Sequence, residues 1–109
     1  DLAMLPGLAD AGYDGVVLAG VGAGHVAASA VENVSAAASR IPVLLASRTG
    51  AGPVAERTYG YPGGEIDLVA RGVLTAGRLS PVKARVLLAH LLSAGLRGDT
   101  LRAAVASHT

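Results

Sequence analysis

The chain is 109 residues long, half of it apolar, with nine Lys and Arg against eight Asp and Glu and a formal net charge of +1. That length bounds it to one domain or less, and scattered charge without a basic run or an aromatic platform excludes an evident nucleic-acid surface. No apolar stretch reaches the ~20 residues that span a bilayer, and the absence of cysteine removes disulfides and thiol chemistry.

Asp1 opens directly into Leu2-Ala3-Met4-Leu5, with neither an initiator Met nor a signal peptide, so the chain reads as a piece of something longer. Leu2 to Ala11 is expected as a short helix, weakened by Pro6-Gly7 and closed by Gly12. Gly15 to Ala19 reads as a strand without alternation, hence covered on both faces. It stops at Gly20-Val21-Gly22-Ala23-Gly24, and a helix follows over His25 to Arg40. There Val26, Ala30, Val31, Val34, Ala37 and Ala38 share one side at helical spacing.

Pro42 to Ala46 is a second continuous apolar strand. Strand, helix and strand in this order build a parallel pair. Ser47 to Gly52 reads as a loop at a strand's carboxyl end, Thr58 to Gly64 as irregular, and Glu65 to Arg71 as a helical turn or two. Val73 to Ala76 suits a short third strand. Ser80-Pro81 signals a helix start, with Ser as cap and Pro in the first turn. Val82 to Ala94 forms that helix, closed by Gly95, and Asp99 is expected to cap a last helix over Thr100 to Ser107. The predicted class is α/β: a small three-layer domain whose short parallel sheet of three to four strands is flanked by helices.

A buried strand, a glycine loop and a helix start in succession mark a ligand site at the strand's carboxyl end. Gly20 to Gly24 fits two readings: a phosphate loop for NAD or NADP, with Arg48 facing a 2′-phosphate, or a tight turn that needs positive φ. The dinucleotide fingerprint wants a glycine where His25 stands. His25, at a helix start, is expected to be a neutral imidazole able to hydrogen-bond a ligand or merely to cap. Glu65, after Gly63-Gly64, can capture a ligand's ammonium group or serve as a solvated acid. Arg48 can bind a carboxylate or tie down the segment after it. His90 and His108 lack a metal-like partner at usable spacing, and no metal site is expected. No Ser/His/Asp or Cys/His set supplies an activated nucleophile.

Longer motifs follow in order: Asp10-Ala11-Gly12-Tyr13-Asp14-Gly15-Val16-Val17, Ala19 to Val26, Ala46-Ser47-Arg48, Thr58-Tyr59-Gly60, and the block from Gly72 to Leu88. Within that block, Gly77 to Arg85 is the most specific part. On these residues the chain resembles the C-terminal domain of the bacterial-type L-asparaginase/glutaminase family. The resemblance implies hydrolysis of the L-asparagine side-chain amide to L-aspartate and ammonia, without a cofactor. It places the threonine nucleophile and its partners in a larger N-terminal domain that this chain lacks, so residues 1–109 alone are expected to be inactive. It further implies that the first strand of the domain precedes the chain.

Family enzymes are commonly homotetramers whose sites lie between one subunit's N-terminal domain and a neighbour's C-terminal domain. By resemblance, Glu65 would bind the substrate's α-amino group, with Glu56 as the alternative alignment. His25 stands where many members carry an asparagine, beside the loop Gly22, Ala23 and Gly24 and near Arg48. A homo-oligomer acting on a small molecule, without nucleic acid or membrane, is expected, and a cytoplasmic location is the working expectation. Two other readings stay open: a nucleotide-binding module built on Gly20 to Gly24 and Arg48, and a stand-alone dimerisation domain.

Overall fold

The run from Pro42 to Ala46 shows no alternation because both of its faces are covered. The computed structural model describes residues 2–20, 30–47 and 65–109. In it this run becomes β2 (Val43–Ser47), the middle strand of a parallel sheet ordered β1-β2-β3. β1 is Val16–Gly20 and β3 is Leu74–Thr75. Val16 pairs with Val43, Gly20 with Ser47, and Leu44 with Leu74. Residues Val43, Leu44, Leu45 and Ala46 are all wholly buried.

Successive side chains of a strand point to opposite faces. Val43 and Leu45 therefore join Leu5, Leu18, Val34, Ala37, Leu68 and Val73 in one core. Leu44 and Ala46 join Leu74, Ala84, Leu88, Leu91, Leu101 and Val105 in the other. Burial of each large side chain contributes about 1.5–3 kcal/mol, so β2 serves both cores at once.

The first core is roofed by a 3₁₀ turn (Leu5–Gly7), α1 (Val31–Ala38) and α2 (Glu65–Ala70). The second is roofed by α3 (Pro81–Ser93) and α4 (Gly98–His108). Strand order follows chain order, so both crossover helices lie on one face, and the chain changes face only after β3.

Helix ends follow the sequence signals. Ser80 is extended, and its hydroxyl accepts a hydrogen bond from the Lys83 N–H at 3.3 Å, satisfying one of the free donors of the first turn. Gly95, at φ +88°, lets the Gly95 N–H reach the Leu92 carbonyl and the Leu96 N–H reach that of Leu91. This paired closure needs a left-handed residue. Gly72, at φ +95°, closes α2 the same way, through Gly72 to Val69 and Val73 to Leu68. Leu68 and Val73 then meet in the first core.

Some expectations shift. Leu2 to Ala11 forms only the 3₁₀ turn flanked by further turns, because Pro6 lacks a donor and Gly7 adds backbone freedom. Both long strands sit one residue later than expected. Of the helix expected from His25, residues 25–29 lie outside the described residues. The last helix starts at Gly98 with Arg97 in the cap position, and Asp99 falls inside the first turn. There its carboxylate favours the helix through the dipole rather than as a cap.

Candidate functional site

Parallel strands end together, and the pairing of Gly20 with Ser47 puts the last residues of β1 and β2 side by side. Neighbouring strands lie about 4.8 Å apart. The chain therefore enters segments 21–29 and 48–64 from adjacent points on the carboxyl edge of the sheet. α1 and α2 each end close in sequence to the amino end of the next strand, β2 and β3. Their first residues therefore lie toward the carboxyl edge. Glu65 is the first residue of α2, so the backbone carries it toward the edge from which the glycine-rich segment leaves. In open α/β sheets, ligands bind outside this edge.

What fixes α2 is visible at its far end. Arg71 donates from Nε to Asp67 Oδ1 at 3.0 Å and from Nη1 to Glu32 Oε1 at 3.3 Å. One guanidinium thus ties α2 to the first turn of α1, across 39 positions of sequence. The Asp67 hydrogen bond is the main reason the Arg71 guanidinium is held above its ordinary pKa. The Asp67 contact had a local signal in its i, i+4 spacing, whereas the Glu32 contact had none. A second tie joins Arg40 Nη2 on the segment after α1 to Asp10 Oδ1 at 2.8 Å. This hydrogen bond first, and the charge of Arg40 second, hold the Asp10 carboxyl below its ordinary pKa.

A hollow of about 420 Å³ lies at the amino end of β1 under α3, lined by Asp14, Gly15, Val17, Arg85, Leu88 and Leu92 among others. It is at the opposite edge from Gly20 and Ser47. A β-carbon on Gly15 would come within 3.0 Å of Leu88 Cδ2 and Leu92 Cδ1, so glycine there serves the packing of α3 on β1.

The other expected site residues, His25, Gly22, Ala23, Gly24, Arg48 and the alternative Glu56, lie outside the described residues. For Glu65 the description covers the backbone. His90 and His108 are described, and among the described residues no cluster of three or more His, Cys, Asp or Glu could hold a metal ion. His108 Nδ1 bonds the Ala104 carbonyl at 2.8 Å. No helix among the described residues is long and apolar enough to cross a membrane.

Comparison with known proteins gives a consistent result. The glutaminase/asparaginase C-terminal domain family matches residues 1–105. A probable L-asparaginase of Deinococcus radiodurans is 40% identical over 89 residues, covering 82% of this chain and 27% of that protein. L-asparaginase 2 of Escherichia coli strain K12 is 39% identical over 82 residues, 74% of this chain and 22% of its own length. A probable periplasmic L-asparaginase of Haemophilus influenzae is 39% identical over 85 residues, 77% of this chain and 23% of its own. The chain thus spans about a quarter of the length of the curated relatives it matches.

Proposed function

The chain belongs to the glutaminase/asparaginase C-terminal domain family, and from that premise we propose that it serves a full-length enzyme hydrolysing L-asparagine to L-aspartate and ammonia. In this reading the chain supplies substrate-binding groups and the attacking threonine comes from a separate N-terminal domain. Glu65 receives the α-ammonium group of the substrate, because a carboxylate offers a charge-assisted bond to that cation. His25, after the loop Gly22, Ala23 and Gly24, orients the substrate or the nucleophile of a neighbouring subunit, and Arg48 belongs to a loop near that site. The enzyme is a homo-oligomer, and residues 1–109 by themselves hydrolyse nothing.

The observation that carries the reading is the family match over residues 1–105. The place of Glu65 supports it: the residue opens α2, toward the edge where β1 and β2 end. The outer side of β1 is an unpaired edge among the described residues, which suits the pairing of a preceding strand there in the full-length protein. The family match favours this reading over the nucleotide-binding alternative.

Glu65→Gln in the full-length protein tests this. Loss of a bond to a charged group costs about 1.5–3 kcal/mol, so KM for L-asparagine should rise roughly 10- to 100-fold. An unchanged KM would overturn the role of Glu65. Co-expression with a protomer lacking its nucleophilic threonine tests the shared site: activity above either variant alone is expected, and no recovery would place the whole site within one subunit. Cytoplasmic residence remains our reading, although one relative is named periplasmic, and recovery from a periplasmic fraction would reverse it.

A further inference from the structure

Charge is unevenly divided along the chain. From Ala76 to Thr109 there are five cationic side chains, Arg78, Lys83, Arg85, Arg97 and Arg102, against Asp99 alone. That stretch carries a net +4 in a chain whose total is +1, so residues 1–75 sum to −3. The excess lies on α3, α4 and the turns around them, and two of its members line one hollow.

β3 is two residues long and ends the sheet, so its outer side is unpaired among the described residues. Beside it lies a hollow of about 350 Å³ whose lining includes Thr75, Gly77, Arg78, Arg102 and Thr109 and has no acidic side chain. Arg78 comes from the turn after β3 and Arg102 from α4. Among the described residues neither has an ion pair, and no acidic side chain lies within pairing distance of them. Asp99 lies one helical turn before Arg102 yet does not neutralise it. Two like charges on one concave surface repel unless an anion sits between them. The planar fork of each guanidinium matches the oxygens of a carboxylate or phosphate.

We propose that the open side of β3 is an oxyanion-binding site in which Arg78 and Arg102 grip a carboxylate or phosphate. The site is one strand removed from the β1–β2 ends, and none of its residues belongs to the proposed substrate contacts. Its success or failure is therefore independent of the reading of Glu65.

The test is titration of the ¹⁵N-labelled chain with sodium phosphate, and separately with sodium succinate, each against sodium chloride at matched ionic strength. Amide shifts at Thr75, Gly77, Arg78, Arg102 and Val105 should saturate with one or both oxyanions and not with chloride. Saturation by phosphate alone names a phosphate ligand, saturation by succinate a carboxylate ligand, and saturation by both a general oxyanion site. Arg78→Gln and Arg102→Gln each replace an exposed side chain, so the fold should persist. Each should weaken the apparent Kd at least fivefold, and the double variant should abolish saturation. Responses equal to those of chloride, or affinity unchanged in both single variants, would overturn the proposal.

Discussion

The layer of α3 and α4 is closed by caps local in sequence, whereas the layer of the 3₁₀ turn, α1 and α2 also carries ion pairs. α3 runs 13 residues, begins on the Ser80 hydroxyl and ends on the paired bonds around Gly95. Arg97 adds Nη1 bonds to the carbonyls of Leu92 and Leu96. α1 and α2 have eight and six residues, too short to be stable as isolated helices. All three ion pairs among the described residues belong to this layer: Arg40 with Asp10, and Arg71 with Glu32 and with Asp67. The same layer borders both segments that leave the carboxyl edge. The layer of α3 and α4 is thus held by local closures, while the layer next to the candidate site also depends on contacts distant in sequence.

The sharpest way to break this contrast is through β2, whose neighbouring side chains feed opposite cores. Leu44→Ala and Leu45→Ala should each cost about 2–5 kcal/mol by leaving a cavity. Their hydrogen-exchange patterns should differ: Leu44→Ala should weaken protection in α3 and α4, and Leu45→Ala in α1 and α2. Equal loss everywhere in both variants would mean that the two layers unfold as one unit.

A smaller effect is expected at the two helix-closing glycines. Gly95→Ala and Gly72→Ala meet open space, so the cost is the left-handed strain alone, about 1–2 kcal/mol. Thermal melts should rank both below the leucine variants. Ser80→Ala should cost about 1 kcal/mol by removing the cap, read in denaturant as a lower midpoint at unchanged slope.

The smallest effect is the pH dependence of the Asp10–Arg40 pair, which is exposed. The folded Asp10 carboxyl lies below its unfolded value of about 3.9. Its stabilisation is therefore fully present above that value and is lost as pH falls through the folded pKa. The Tm difference between the parent and Arg40→Gln should accordingly be present at pH 7 and vanish near the acid end. A difference that persists there would assign the effect of Arg40 to packing instead.

Much of the fold was legible because it depends on local chemistry. Ser80-Pro81, Gly95 and the unalternating apolar strands act within a few residues of themselves, and each led to the right element. The 3₁₀ turn and the start of α4 were misread because the deciding events, the missing Pro6 donor and the turn at Gly98, shift an end without changing the pattern around it. At the candidate site, Glu65 stood out through the family resemblance; by itself a carboxylate after two glycines does not distinguish a ligand contact from a solvated acid.

The amino-acid sequence determined the class of fold, the capped helices and the family, since these rest on side-chain type, short spacing and extended identity. Only the tertiary structure decided that Leu44 and Leu45 serve different cores, that Arg71 joins residues on two helices, and that Arg78 and Arg102 share one hollow. The physical reason is common to all three: strand twist, helix direction and sheet order bring together groups whose separation along the chain carries no signal of their meeting.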